Sequence, residues 1–500
     1  WNEKLKMTVG GDFKIGAPSG IGITISSSGN VDSIGIITAS SFSGPATQVT
    51  VSANNSTNET VYPIFVDGTG NKVPEMDTSL TYNPSSNNLT AGTFIGSLSS
   101  SDDATVNSVT VGKGANSVAG NTVLGELALD AATTGGNNTA IGKNSLTGNT
   151  TGGQNTALGN SALASNTTAD HNTALGESAL QLNTTGTENT AVGSGALDAN
   201  TTANANTAVG RNSLGANTTG ASNTAVGRSA LSANTTANSN TAVGKDSLQN
   251  NTTGASNTGV GHDALQANTT ASNNTAVGYQ ALKLNTTGTE CVAVGSATLD
   301  ANTTGNCNTG MGMNALTACT TGGHNTGLGR EALKNVTTNS YNTAVGSEAL
   351  KLNTAANNSA FGYFALQQNT TGTYNAAFGY GALTANTTAD SNTAFGYYAL
   401  NANTTGTGNV SVGSYALDAN TTSNNNTAVG HVALTLNNGG AQNTAVGNGA
   451  LSGNTTGNYN VAVGYDALDK NTTASNITAI GSLALGNAST GGSNSNTTAV

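Results

Sequence analysis

The sequence is poor in charged residues, aromatic residues, cysteine and proline. Charged residues make up 8% and aromatic residues 4% of the 500 positions, with three cysteines and five prolines, whereas an ordinary globular domain carries about 25% charged residues. The formal net charge is −11, and no run of Lys and Arg offers the basic stripe that nucleic-acid binding needs. No apolar run approaches the roughly 20 residues of a membrane helix. We therefore expect neither nucleic acid nor membrane insertion.

Residues that carry chemistry are also scarce and scattered. No histidine has a cysteine or carboxylate at metal-ligand spacing, and the cysteines fit no zinc motif. We interpret these positions as surface histidines and drifted repeat positions: His171, His262, His324, His431, Cys291, Cys307 and Cys319. The regular Asp of a calcium-binding β-roll is absent too. Without a nucleophile, base or metal set, the sequence predicts a non-enzymatic protein with no cofactor.

One short sequence motif, repeated many times, fills most of the chain. NTAVGSEAL at 342–350 follows NTAVGYQAL at 274–282 and precedes NTAFGYYAL at 392–400. The Gly that ends NTAVG falls at Gly125 and every seventeen residues to Gly346; one 16-residue repeat then moves it to Gly362, and the period of 17 resumes to Gly481. Disorder does not keep such register, so these 22 copies indicate a repeat architecture.

The consensus N-T-A-V-G-x-x-A-L-x-x-N-T-T-G-x-x, numbered here as positions 1 to 17, predicts strands and turns. The side chains of positions 2 and 4 share one face of a T-A-V strand, and N-T-T-G is typical of a turn. Helical repeats are excluded, because Gly interrupts every copy and Thr and Asn are poor helix formers. We predict an all-β chain: a parallel β-solenoid, or β-roll, of 22 mostly 17-residue coils over 105–500, each coil with two short strands. At about 4.8 Å per coil its length is roughly 105 Å.

The residue types found at each position of the repeat predict which side chains form the core and which form an interface. Position 9 is Leu in all 22 copies and position 4 is always apolar, so both are expected inside, as the structural core Val277, Leu282, Val294, Leu299, Val345, Leu350, Phe378 and Leu383. Position 3 would then point outward as a smooth stripe for close packing of further copies, with Ala140, Ala157, Ala174, Ala276 and Ala344 as members. The Gly of position 5 should permit a corner or a close approach. Asn149, Asn166 and Asn183 should stack as a hydrogen-bonded ladder.

The repeat resembles a known family. NTAVG and NTAIG, next to AL and NTTG, are similar to the head repeats of the YadA-like trimeric autotransporter adhesins, whose signature is a related S-V-A-I-G strand. The resemblance covers about 105–500. It implies a homotrimer of left-handed parallel β-rolls.

Residues 1–104 stand outside the array. TASSFSG at 38–44 and TAGTFIG at 90–96 are two copies of one motif, and the stretch between them alternates like strand-turn-strand. This segment resembles the shafts of bacteriophage tail fibres and other virion structural proteins, especially those of marine cyanophages. The resemblance implies a β-rich attachment segment that contacts other virion proteins.

Aromatic residues concentrate between 361 and 415. Phe361, Phe378 and Phe395 occupy position 4 in three successive coils, where we expect them to repack the core. The tyrosines of the same segment could form either a ladder that stiffens the rod or a platform on which sugar rings stack. The candidate glycan contacts are Tyr363, Tyr380, Tyr397, Tyr398 and Tyr415.

The two resemblances together imply a structural fibre of a phage virion, extracellular or on the virion surface, that takes part in adhesion to host surface glycans. A bacterial trimeric surface adhesin is the alternative. An ice-binding solenoid is less favoured: Thr rows run through Thr150 and Thr151, and the first of these rows is broken at Asn438.

Overall fold

A computed structural model describes residues 103–131, 133–486 and 497–500, together with seven short strands of the first hundred residues. The chain divides into two compact units, Trp1–Ser99 and Ser100–Val500, which are described separately. In the first unit the strands form three small antiparallel sheets. Their bounds are β1 Phe13–Gly16, β2 Gly22–Ile25, β3 Val31–Ser33, β4 Ile64–Phe65, β5 Glu75–Met76, β6 Leu80–Asn83 and β7 Asn88–Ala91. The two copies of the TASSFSG-like motif lie largely outside the described residues.

The second unit is a parallel β-solenoid, which confirms the predicted fold class. A hairpin of β8 Ala104–Val106 and β9 Val109–Gly112 precedes a short 3-10 helix, Ala115–Ser117. One strand per coil follows: β10 Thr122–Gly125, β11 Thr139–Ile141, β12 Thr156–Leu158, β13 Thr173–Leu175, β14 Thr190–Val192, β15 Thr207–Val209, β16 Thr224–Val226, β17 Thr241–Val243, β18 Thr258–Val260, β19 Thr275–Val277, β20 Val292–Val294, β21 Thr309–Met311, β22 Thr326–Leu328, β23 Thr343–Val345, β24 Ser359–Phe361, β25 Ala376–Phe378, β26 Thr393–Phe395, β27 Val410–Val412, β28 Thr427–Val429, β29 Thr444–Val446, β30 Val461–Val463, β31 Thr478–Ile480 and β32 Thr498–Ala499.

Each strand pairs with the strand one coil later, without slippage. Thr156 pairs with Thr173, and the 16-residue coil keeps the pairing, because Thr343 lies opposite Ser359. Identical positions therefore form continuous columns along the solenoid axis. At the beginning of the array, β9 pairs antiparallel with β10, so the hairpin covers the edge that the first coil would otherwise expose.

The strand turns the Ala of position 3 into the interior and the Thr and Val of positions 2 and 4 outward, the reverse of the expected orientation. Ala276 is fully buried, whereas the neighbouring Val277 is 37% exposed. The predicted outward stripe is therefore wrong, since all its members are fully buried: Ala140, Ala157, Ala174, Ala276 and Ala344. The prediction that position 4 lies in the core is wrong as well, because none of its named residues is buried: Val277, Val294, Val345 and Phe378.

The interior is narrow, and its contents explain this reversal. Position 9 supplies the large buried side chains, among them Leu282, Leu299, Leu350 and Leu383, all with no exposed surface. Two buried Asn columns, at positions 1 and 12, fill much of the remaining space. At close-packed interior density, position 3 accepts a small residue, and it is Ala, Gly or Ser in every coil except the first, where Val123 is buried.

Within the described part of the array, the second strand predicted for each coil does not form. The A-L segment of positions 8 and 9 is a turn, and its Leu has a left-handed backbone in every coil, with φ 50° at Leu350. This conformation costs a non-glycine residue roughly 1–2 kcal/mol. Burying the Leu side chain contributes about 1.5–3 kcal/mol, and the Leu146 N–H donates to the Ala162 carbonyl of the next coil at 3.0 Å.

Position 5 requires Gly for both of the predicted reasons. Gly278 has φ 138°, and a Cβ there would lie 2.4 Å from the carbonyl oxygen of Gly295 in the next coil. Any side chain in this column would push the coils apart. The Gly at the end of each strand is thus a condition of the coil spacing.

Candidate functional site

The outward columns are the surfaces on which a function can be built. Column 4, the residue before each Gly, is apolar in every coil and never buried. Its exposure reaches 49% at Met311 and 58% at Phe395. Column 6, the residue after each Gly, is exposed in most coils and varies most in chemistry.

Columns 4, 6 and 7 carry an aromatic patch on four successive coils. We define the aromatic patch as Phe361, Tyr363, Phe378, Tyr380, Phe395, Tyr397, Tyr398 and Tyr415. All eight side chains are exposed or half-buried. The three phenylalanines, expected to repack the core, therefore lie outside. The five tyrosines of the glycan hypothesis lie together on one surface.

The rings of the patch are in mutual contact. The Tyr363 and Tyr380 ring centroids are 5.4 Å apart and stacked, and Tyr380 and Tyr397 repeat this geometry at 5.4 Å. Phe361 and Phe378 stack at 4.6 Å. Such pairs add about 0.5–1.5 kcal/mol beyond area burial. The ladder hypothesis thus has a geometric basis of its own, beside the platform hypothesis.

At one end of the patch the rings change orientation. Tyr398 meets Tyr397 edge to face at 4.6 Å, and Tyr415 meets Tyr397 likewise at 5.4 Å. A hydrogen bond to Tyr380 raises the pKa of the Tyr398 hydroxyl. Partial desolvation, together with a hydrogen bond to Tyr415, raises the pKa of Tyr397. These hydroxyls stay protonated at neutral pH and can donate hydrogen bonds.

Sequence inspection missed a group of basic residues. Arg211, Arg228, Lys245 and His262 stand 17 residues apart, so they form no run along the chain. The coil register places them one above another in column 6 of four successive coils. Aligning the repeats and reading the residue after each Gly from one copy to the next would have revealed them. We call these four residues the basic strip.

Two buried carboxylates lie beside the strip, and they give His262 the neighbours that the sequence did not indicate. Asp263 Oδ1 is 3.2 Å from His262 Nδ1, and the Asp246, His262 and Asp263 ligand atoms lie within 4.8 Å of one another. Cations already hold these carboxylates, since Lys245 Nζ is 2.9 Å from Asp246 and Lys283 Nζ 3.3 Å from Asp263. The group is an ion-pair network.

A second ion-pair network lies farther along the solenoid. Lys351 Nζ is 2.7 Å from Glu331 and 3.1 Å from Glu348, and Arg330 contacts both carboxylates. The hydrogen bond from Lys351 lowers the pKa of Glu331. Here the cations and acids are matched closely, which is typical of a structural network.

The Thr rows of the turn contribute to coil-to-coil bonding. The Thr150 hydroxyl donates to the Thr167 carbonyl at 2.9 Å, and Thr167 donates to Thr184 at 3.0 Å. Position 14, such as Thr151, is exposed. The hydroxyl groups of the row through Thr150, one of the two rows considered for ice binding, therefore donate their hydrogen bonds to backbone carbonyls of the next coil.

Two of the cysteines replace Asn in the interior columns. Cys291 occupies position 1 and Cys319 position 12, and both are fully buried. Burial raises the pKa of Cys291 to about 11 and that of Cys319 to about 12, so both thiols are protonated and inert at neutral pH.

Comparison with known proteins identifies no related protein. No model of a known family matches the chain, and neither a curated protein nor a solved structure is detectably similar to it. Within the described residues, no helix has both the length and the apolar character needed to cross a membrane.

Proposed function

We propose that the protein is a non-enzymatic structural fibre of a phage virion: a homotrimer on the virion surface, anchored to other virion proteins through 1–104, that takes part in host-surface adhesion. Column 4 carries this proposal. It is apolar and open to solvent in all 22 coils, whereas monomeric soluble proteins rarely expose a contiguous apolar patch above a few hundred Å².

Further copies of this chain are the occupants that fit the column best. A partner must match an apolar column that repeats once per coil, and another copy of the same solenoid does so over its whole length. The small Thr side chains of position 2, beside column 4, allow close approach. The proposed interface thus replaces the alanine stripe, which is buried.

Light scattering on the full chain tests the assembly. We expect three times the chain mass of 49.0 kDa. Replacing Val226, Val243 and Val277 together by Asp should dissociate it, because charge would enter an apolar interface. The matched control replaces Thr236, Thr253 and Thr287 by Asp, at exposed turn positions of the same three coils, and should stay assembled. A monomeric wild type, or dissociation of the control alone, would refute the interface.

The five tyrosines of the aromatic patch are the proposed adhesive element, whereas its three phenylalanines belong to column 4 and to the proposed interface. Sugar rings stack on exposed aromatic faces, and the neighbouring hydroxyls of Tyr397 and Tyr398 can bond to sugar hydroxyls. Binding of neutral glycans should weaken when Tyr397, Tyr398 and Tyr415 are replaced by Ala. Tyr465→Ala is the matched control, since Tyr465 is a 55% exposed member of column 6 outside the patch. Equal binding by both variants would leave the patch a stiffening ladder.

A bacterial surface adhesin is the second candidate, because the same fold and patch would serve it equally. Immunogold labelling separates the two: label on virions supports the fibre, and label on the bacterial surface supports the adhesin. A thermal-hysteresis assay tests the ice-binding alternative.

A further inference from the structure

The basic strip stands in an unusual electrostatic setting. The chain carries a net charge of −11, yet residues 199–245 contain three basic residues and no Asp or Glu. The fold gathers these charges, because Arg211, Arg228 and Lys245 fall in column 6 of consecutive coils, with His262 next. At about 4.8 Å per coil, the strip spans about 14 Å along the axis.

The strip presents positive charge to solvent and keeps its acidic partners beneath. The side chains of Arg228 and Lys245 are 55% and 45% exposed, whereas that of Asp246, which both contact, is 10% exposed. Asp263 is equally covered and holds His262 and Lys283. The buried carboxylates therefore orient the cations without competing for a ligand in solvent.

Arg211 begins the strip with its charge uncompensated. No acidic group within the described residues forms an ion pair with it, and Arg228 stands in the same column one coil away. Like charges at this separation repel each other. An anion bound between the two guanidinium groups would remove that repulsion, and guanidinium suits carboxylate and sulfate geometry.

The other end of the strip continues into an aromatic ring. Tyr279, the next residue of column 6, stacks on His262 with ring centroids 5.8 Å apart and is 53% exposed. A row of three basic side chains, followed by His262 and an aromatic ring, matches a ligand with anionic groups at intervals and an apolar ring face. The coil spacing is comparable with the length of one sugar ring.

We propose that the basic strip and Tyr279 bind a linear anionic polysaccharide that runs along the solenoid axis. Its carboxylate or sulfate groups contact Arg211, Arg228 and Lys245, and a sugar ring packs against Tyr279. Nucleic acid fits less well, because the strip is short and the chain as a whole is acidic. The proposal rests on the adhesive function and names one ligand class for it, at a surface distinct from the aromatic patch.

Dextran sulfate of defined length is the probe, with uncharged dextran and single-stranded DNA of equal charge as comparison ligands. The full chain should bind dextran sulfate with an affinity that falls as salt rises. The variant R211Q/R228Q should bind about tenfold more weakly or worse, the effect of losing one charge-assisted contact or more. Tyr279→Ala should weaken dextran sulfate binding as well, because the sugar ring would lose its packing surface.

The matched control is K143Q/R330Q. Lys143 and Arg330 also belong to column 6, with side chains 51% and 47% exposed, but each is paired with an acid and lacks a basic neighbour in the column. Its affinity should equal that of the wild type. Three outcomes would overturn the proposal: no binding by the wild type at low salt, equal loss in both variants, or DNA binding as tight as dextran sulfate binding.

Light scattering on the same samples distinguishes a failure of the basic-strip proposal from a failure of the fibre proposal. If the assembly is intact and dextran sulfate does not bind, only the inference about the basic strip falls. If the wild type is monomeric yet the strip binds, the fibre proposal alone falls.

Discussion

The Asn166 side-chain amide donates a hydrogen bond to the Asn149 side-chain oxygen at 2.9 Å, in the fully buried interior of the solenoid. Asn183 repeats the bond to Asn166 at 3.0 Å, so the predicted ladder is confirmed. The same Asn166 amide also donates to the Ala169 carbonyl at 3.0 Å. Each rung thus satisfies its own turn and binds the preceding coil.

Removing one rung should destabilise the solenoid. Asn251 donates to Asn234 and Gly254 and accepts from Asn268, so Asn251→Ala leaves buried polar groups unpaired and should cost about 1–3 kcal/mol. The matched control is Asn250→Ala, because its neighbour Asn250 is exposed. Hydrogen exchange of amides in these coils measures the change locally. Equal protection in both variants would contradict the role of the ladder.

Repairing the ladder should stabilise it. Position 12 is Cys319 and then Val336 in two consecutive coils, and the oxygen of Asn302 meets the Asn308 amide only at 3.5 Å. Cys319→Asn with Val336→Asn should raise stability by about 1 kcal/mol per restored bond.

Either repair alone should gain less than half of this, because a single new Asn lacks one neighbour. Thermal unfolding of the two single variants and the double variant provides the test. Additive gains would show that the rungs act independently.

The inside-out orientation of the strand makes a direct prediction. Ala276→Leu should overpack the interior and cost about 1–3 kcal/mol. The adjacent Val277→Leu should be nearly neutral, since column 4 already holds Leu158 and Leu175. Denaturant unfolding of the two variants measures the difference. The opposite ranking would restore the orientation first expected from the sequence.

The buried thiols predict a loss of stability at alkaline pH. Burial raises the pKa of Cys291 to about 11 and that of Cys319 to about 12, above the ordinary value of 9.0. Above pH 9 the unfolded chain therefore binds fewer protons than the folded one, and the free energy of unfolding falls as pH rises.

The loss should begin near pH 9 and continue to about pH 11–12. A variant with Cys291→Asn and Cys319→Asn should lose less stability over this range. Thermal midpoints of both chains, measured from pH 8 to the alkaline limit, check the prediction. Parallel curves would assign the alkaline transition to other groups.

Much of the fold followed from the sequence alone. The period of 17, the Leu of position 9 in every copy and the Gly after each strand determined a parallel solenoid with in-register columns. This is possible because each coil is the template for the next, so a local pattern determines the global arrangement. The ladder of Asn149, Asn166 and Asn183 could be predicted for the same reason.

Which side of the strand faces the core was decided only by tertiary packing. Period two shows that Thr275 and Val277 share a face with each other and not with Ala276, but it does not say which face is inside. The side chains of position 9 and of the two Asn columns leave space at position 3 for a small residue in every coil but the first. The variation of position 4, from Val to Phe378, indicated that this position faces outward, since a close-packed interior rarely tolerates such changes in volume.

The candidate surfaces divide in the same way. The tyrosines of the aromatic patch cluster along the chain, so sequence reasoning found Tyr363, Tyr380 and Tyr397. Arg211 and Arg228 are 17 residues apart, and only the coil register makes them neighbours. The sequence determined the spacing of these charges, and the stacking of coils converted that spacing into a basic strip whose acidic partners are buried beneath it.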